Sequence, residues 1–195
     1  MNDVIYEFIE NGLPQHLGGH ENETHIDSGA VDKLVELYHC KSVLDIGCGP
    51  GGMVEHFKNR GMEVIGVDGD SVVKRSESIK ENIIIHDFQT GPWIPEKNYD
   101  LAWSVEFVEH VWPKYMMNYI ASFKKCKYVV FTHAVPGQPG HHHVNCRSVD
   151  YWLGVMESNG FEIDVEATNQ VRQESTMKER YIRTTGLVFK NNNLI

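Results

Sequence analysis

No stretch of this sequence approaches the roughly 18 consecutive apolar residues that would suggest a membrane span. Nothing in it repeats, and no low-complexity tract or linker divides it. Its first residues, MNDVIYEFIE, lack both the basic start and the apolar block of a secretory leader, so none is expected. Positive charge is scarce: 18 Lys and Arg stand against 27 Asp and Glu, a formal net charge of -9. That excess repels polyanions, which argues against DNA and disfavours RNA and an acidic membrane surface. The short basic clusters Lys124-Lys125-Lys127 and Lys178-Arg180-Arg183 read as solvated faces. The four cysteines, Cys40, Cys48, Cys126 and Cys146, include no C-x-x-C pair, so neither a zinc knuckle nor a redox pair is offered. The first three lie in or beside apolar runs and read as small buried groups, in keeping with a reducing, cytoplasmic setting.

What remains is an ordinary globular composition: 195 residues, 41% hydrophobic and 23% charged, enough for the core of one domain. After an irregular start, Ser28 is placed to cap a helix whose Val31, Leu34, Val35 and Tyr38 share one face. KSVLDIG reads as a buried strand, and GGMVEHFKNRG as a helix closing on Gly61. MEVIGVD, NIIIHD, YDLAWS and KYVVFTH read as four more strands. Pro113 opens a helix with Met116, Tyr119, Ile120 and Phe123 on one face, and Ser148 caps another that ends near Asn159-Gly160. FEIDVEA and YIRTTGLVF read as two final strands separated by a short stretch, an antiparallel edge pair. Strands alternating with helices predict an α/β fold: a doubly wound, Rossmann-like, seven-stranded, mostly parallel sheet with an antiparallel edge strand, in three α/β/α layers. The expected organisation is a single domain over 1–195, with 1–27 an irregular cap over the pocket and 28–195 the core. Ligands of such sheets sit at the carboxyl ends of the strands, at the topological switch point.

VLDIGCGPGG is a strand running into a glycine turn and a helix, and Gly47, Gly49 and Gly52 satisfy G-x-G-x-x-G. A dinucleotide is therefore one reading. Asp68, about 20 residues on after a strand, suits the ribose hydroxyls of any adenosine cofactor and does not discriminate. Asp45 does discriminate. It stands two residues before the first glycine, where a pyrophosphate would meet a buried carboxylate of like charge. S-adenosylmethionine instead brings an ammonium and a sulfonium to that carboxylate, while loop N–H groups and the helix N-terminus take its carboxylate. A loop-bracing aspartate is the competing reading of Asp45.

VLDIGCGPGG, VIGVD, IIHDF and SVEFVEHV, in that order, resemble the successive motifs of class I S-adenosylmethionine-dependent methyltransferases of the small type 11/23-like kind. The resemblance spans roughly residues 28 to 189. It implies a seven-stranded sheet with the last strand antiparallel. By position it implies that Asp45, Gly47, Gly49 and Gly51 shape the methionine pocket and that Asp68 holds the ribose. Asp87 would accept from the adenine amino group, with Phe88 packing on the ring; a simple turn former is the alternative for Asp87. The Asn/Asp-Pro-Pro-aromatic signature of relatives that methylate amino groups of nucleic acids is replaced here by Ser104-Val105-Glu106, which argues against base methylation of DNA.

The chemistry is expected after strands four and five. Glu106, Glu109 and His110 fall at i, i+3 and i+4, so a helix would gather them on one face. Relatives with this E-x-x-E-H pattern, which methylate ubiquinone precursors or small-RNA 2′-hydroxyls, associate it with a metal. By that resemblance Glu106, Glu109 and His110 could hold a divalent metal; metal-free acid/base use and a purely structural role stay open. His133, at the end of strand five, is expected on the rim as a base, alongside Glu106 and His110. In PGQPGHHHVN three consecutive histidines cannot share one direction, so His141 and His143 are the expected acceptor contacts. Solvated loop histidines are the alternative, and His16, His20 and His25 could add acceptor contacts or form a surface strap. The function expected is methyl transfer from S-adenosylmethionine to a small polar acceptor, with oxygen the target. The rivals are an NAD-dependent oxidoreductase, a non-catalytic S-adenosylmethionine-binding module and an RNA 2′-hydroxyl methyltransferase.

Overall fold

Side chains alternate between two cores along the strands of the computed structural model, which describes residues 9, 10 and 12–195. Val43, Leu101, Trp103, Val130 and Val188 point to one face of the sheet. Leu44, Ala102, Val129, Phe131 and Phe189 point to the other. A sheet buried on both faces needs apolar residues at nearly every position, which is why its strands read as continuous apolar runs.

Apart from a small antiparallel pair, Ile9–Glu10 with Leu13–Pro14, the strands form one sheet: β1 (Ser42–Ile46), β2 (Glu63–Asp68), β3 (Ile83–Ile85), β4 (Tyr99–Ser104), β5 (Cys126–Phe131), β6 (Phe161–Ile163) and β7 (Leu187–Asn191). Their order across the sheet is β3-β2-β1-β4-β5-β7-β6. All neighbouring pairs up to β5 are parallel; β7 runs antiparallel to both β5 and β6. The final strand thus forms an antiparallel pair at the edge, but itself lies one place in from it. Winding goes outward from β1 to β3 and then returns to β4, so the switch point falls between β1 and β4.

Helices α1 (Ser28–Tyr38), α2 (Gly52–Asn59), α5 (Val165–Glu174) and α6 (Tyr181–Thr185) supply Leu34, Phe57, Val171 and Ile182 to one core. Helices α3 (Met116–Phe123) and α4 (Val149–Ser158) supply Ile120, Phe123, Trp152 and Met156 to the other. The result is three layers. No helix among the described residues is long and apolar enough to cross a membrane.

Three local readings are corrected. The cap of α1 is Asp27, whose carboxylate accepts from Ala30 N at 3.0 Å and from Thr176 N at 2.8 Å, and Ser28 is already helical. FEIDVEA is strand only to Ile163, because Asp164 caps α5 by accepting from Ala167 N. YIRTTGLVF is half helix: α6 occupies Tyr181–Thr185 before β7 begins. Two helices, not a short stretch, join the last two strands.

Candidate active site

A cavity of about 520 Å³ opens where β1 and β4 end, the position that the strand order singles out. Its size suits a cofactor with a small acceptor beside it.

The glycine turn forms the floor. Gly47 has φ 78° and a Cβ built there would lie 2.5 Å from Phe107, so no other residue fits without displacing that ring. Gly49 N donates to Asp68 at 2.8 Å, and Arg75 Nε donates to Gly49 O at 2.9 Å, which ties the turn to the end of β2. Gly51 faces away from the cavity: its Cβ would lie 2.5 Å from Ile79, so it serves packing at the start of α2 rather than the pocket. Gly52 N, at the start of that helix, already donates to Thr24 Oγ1.

Asp45 lines the cavity with 3% of its surface exposed, and its Oδ2 has no hydrogen-bond partner. Burial, with the charge of Asp68 added, pushes its carboxyl up to about 8. Burial also raises Asp68, against the pull of its backbone N–H donors. A cationic ligand group would relieve both. Asp87 lies further along. Burial works upward on it, but the His16 hydrogen bond at 2.8 Å and the Gln89 N–H outweigh burial and hold it low. Phe88 is buried edge-on against Phe107 and lines the same end.

After β4 the chain does not continue as a helix. Glu106 sits at φ 54°, and two short 3-10 turns, Val108–His110 and Pro113–Tyr115, follow before α3. Glu106 is clamped there: its N–H donates to Thr132 Oγ1 at 2.8 Å, and that hydroxyl donates to Glu106 Oε1 at 2.9 Å. The expected Glu106-Glu109-His110 face is therefore broken. The gathered set is Glu109, His110 and His143, with one ligand atom of each within 4.8 Å of the others. Glu109 is fully buried, both its carboxylate oxygens are unpartnered, and burial followed by the charge of Glu106 drives its pKa far upward. His110 Nδ1 donates to His141 O at 2.8 Å and His143 Nδ1 to Gln138 O at 3.1 Å. A carbonyl can only accept, so Nδ1 carries the proton and Nε2 is the bare lone pair on each ring. Burial, then His143, lowers His110 to about 4, so it is neutral at physiological pH.

The histidine triplet divides as its spacing predicts. His141 and His143 line the cavity; His142, at φ 45°, packs between His16 and Trp112. His133 is corrected. Strand parity sends Thr132 to Glu106 and His133 the other way, against Trp152, with 3% exposure and no part in the cavity wall.

Residues 16–25 run along the cavity as a strap, pinned at three points. His16 pairs with Asp87, His20 with Asp70 at 3.0 Å, and His25 with Glu179 at 2.8 Å. Glu179 and Tyr181 complete the wall at the far end, Tyr181 edge-on to His25. Sequence reasoning missed both, because nothing local marks a residue that meets its partner from the other end of the chain. Residues 1–8 and 11, the start of the expected cap, lie outside the described residues.

Comparison with known proteins gives a match of residues 22–166 to the family model described as a methyltransferase domain. A malonyl-[acyl-carrier protein] O-methyltransferase of Pseudescherichia vulneris is 35% identical over 66 residues, which span 32% of this chain and 26% of that protein. The chain thus matches about a quarter of that relative's length. Among solved structures, a SAM-dependent methyltransferase from Archaeoglobus fulgidus superposes with a TM-score of 0.53 at 26% identity, covering 69% of this chain and 70% of that one. An O-methyltransferase of a Brevibacillus brevis polyketide multienzyme, crystallised with S-adenosyl-L-homocysteine, gives 0.57 at 13% identity, covering 85% and 73%.

Proposed function

This chain belongs to the methyltransferase-domain family and is an S-adenosylmethionine-dependent methyltransferase, and from that premise we propose that it methylates an oxygen of a small polar acceptor. The observation that carries the proposal is the group of Glu106, His110 and His143 at the cavity end beyond the glycine turn. S-adenosylmethionine supplies the activated methyl carbon in an in-line displacement. In this reading Asp45 faces its ammonium, the glycine turn leaves room for its chain, Asp68 takes the ribose hydroxyls, and Asp87 with Phe88 bounds the adenine. The residues fit: Asp45 offers an unpartnered buried oxygen where a cation is wanted. A pyrophosphate would bring no cation to that carboxyl and would hold it protonated, so the site favours the sulfonium cofactor over the nicotinamide alternative.

A hydroxyl acceptor must lose its proton as the methyl arrives. His143 presents an imidazole whose Nδ1–H is fixed by Gln138 O, leaving Nε2 to accept that proton, and Glu106, held by Thr132, positions the hydroxyl. His141 borders the acceptor. The strap closes the cavity and keeps water from it. In this reading the domain is one unit in a cytoplasmic setting, with residues 16–25 as the cover of the pocket.

A second reading of the same end has a specific observation behind it. Glu109, His110 and His143 fit a divalent metal: the carboxylate is unpartnered, and both rings donate Nδ1–H to carbonyls, as metal-bound histidines do. A metal there would act as a Lewis acid on an acceptor hydroxyl. Chelation that abolishes turnover, with magnesium or manganese restoring it, supports this reading; an unchanged rate after chelation assigns His143 to proton transfer.

Oxygen as the target is tested with cofactor carrying a 13C methyl. The transferred carbon is expected at the chemical shift of a methyl ether or ester, and a signal in the N-methyl or C-methyl region contradicts the proposal.

A further inference from the structure

The acceptor end of the cavity offers anions no ammonium or guanidinium; its ring donors are imidazoles, of which His25 is paired with Glu179 and His110 and His143 give their Nδ1–H to carbonyls. None of its lining residues is Lys or Arg, and residues 1–11, which include all those outside the described set, contain neither. Two guanidiniums that touch lining residues are already used: Arg75 donates to Gly49 O and pairs with Asp68, and Arg183 donates to the carbonyls of Ser175, Met177, Lys178 and Glu179. Carboxylates are abundant instead. Glu23, Glu106 and Glu179 line the wall. Behind them Glu109 keeps two unpartnered oxygens within reach of His110 and His143. A divalent ion at that cluster would offset two negative charges and still leave the wall without excess positive charge. An acceptor bearing phosphate or carboxylate would have to give up its hydration to face like charges in a partly enclosed space. Glu179 is half-buried: one oxygen pairs at 2.8 Å with His25, whose ring meets Tyr181 edge-on, and the other lies 3.9 Å from the solvent-exposed Lys178.

We propose that the acceptor is an uncharged or amine-bearing hydroxyl compound, and that Glu179, oriented by His25, is the residue that excludes phosphorylated and carboxylated ones. This rests on the transferase reading above and narrows its substrate class. It also separates this chain from the malonyl group named for the Pseudescherichia vulneris relative, which carries a free carboxylate.

The test supplies the protein with an equal mixture of CH3- and CD3-labelled S-adenosylmethionine and a macromolecule-free extract of small metabolites. Every product appears in the mass spectrum as an isotope doublet, products are sorted by ion exchange at pH 7, and an unretained doublet that mild alkali abolishes, which marks a methyl ester made on a carboxylate, is counted with the anions. Doublets are expected in the unretained and cation-exchange fractions, at least tenfold over the anion-exchange fraction. Glu179→Lys should shift the ratio toward the anionic fraction by tenfold or more, while Glu179→Gln shifts it less. Wild-type doublets concentrated among the anions overturn the inference, as does a Glu179→Lys protein that binds S-adenosylhomocysteine normally and keeps the wild-type ratio. No doublet in any fraction, with S-adenosylhomocysteine still bound, removes the transferase reading itself and this inference with it.

Discussion

Asp45 is held in a state that only a ligand would justify. Buried beside Asp68 with an unpartnered oxygen, its carboxyl is pushed up to about 8, so in the empty protein it is largely protonated near neutrality. Folding raises this acid's pKa above the usual 3.8, so the folded state holds the proton more tightly than the unfolded chain. The group's contribution to stability is therefore fully present below pH about 4 and is lost as pH rises toward 8. Asp45→Asn should remove that loss: the unliganded variant is expected to melt within a few degrees of wild type near pH 4 and above it at pH 7 and 8. Its affinity for S-adenosylhomocysteine should fall at least tenfold, about 1.4 kcal/mol, by calorimetry. Equal falls in melting temperature and affinity would instead mark Asp45 as a brace. Glu106 and His143 belong to the other end. Glu106→Gln and His143→Ala should lower turnover by roughly 10² to 10⁴ and leave S-adenosylhomocysteine binding within about twofold, because a group that moves or positions a proton acts only on the reaction. A parallel loss of binding would contradict that division.

The segments differ in how openly the sequence declares them. The runs of β1, β2, β4 and β5 are apolar because both sheet faces are covered, and the glycine turn after β1 is legible because the backbone there takes positive φ at Gly47, Gly49 and Gly51. Gly47→Ala would force a Cβ against Phe107 in a left-handed conformation; about 2 kcal/mol of destabilisation is expected, a drop of roughly 4–8 °C in melting temperature, measured by thermal unfolding without ligand. Helix α5 was read as part of a strand because FEIDVEA alternates and the helix shows the core only Ala167, Thr168 and Val171. Its deciding signal is the cap at Asp164. For α6 there was no such signal, since Thr184 and Thr185 favour strands and tertiary packing of Ile182 decides. At the site, Asp45, Asp68, Asp87, Phe88, Glu106, His110, His141 and His143 were all placed on the cavity by motif and spacing. His133 was misplaced because strand parity, not position along the strand, decides which way a side chain turns. Glu179 and Tyr181 were invisible because they depend on contact with His25, which lies far away in sequence. The strap itself makes a prediction. His16→Ala frees Asp87 from a 2.8 Å partner, so faster amide exchange across residues 16–25 and a several-fold weaker S-adenosylhomocysteine complex are expected. Unchanged exchange would show that the strap is held without this latch.

Taken as one molecule, the chain sets a net charge of -9 around a cavity whose floor and walls are themselves acidic. Such a field favours ligands that arrive positively charged, and the sulfonium cofactor is one of them. The two cores fix β1 and β4 side by side, and the strap and the 136–146 loop close over the gap between their ends. Ligand binding at that junction should stabilise the whole fold in proportion to the logarithm of ligand concentration over the dissociation constant. One event underlies binding at this junction: an ammonium group meets Asp45 and drives off its proton. Titration of S-adenosylhomocysteine at pH 7, in two buffers of different ionisation enthalpy, counts that proton. Release of about one proton per bound ligand is predicted, falling toward zero in Asp45→Asn. Tight binding with no proton released by the wild-type protein would contradict it.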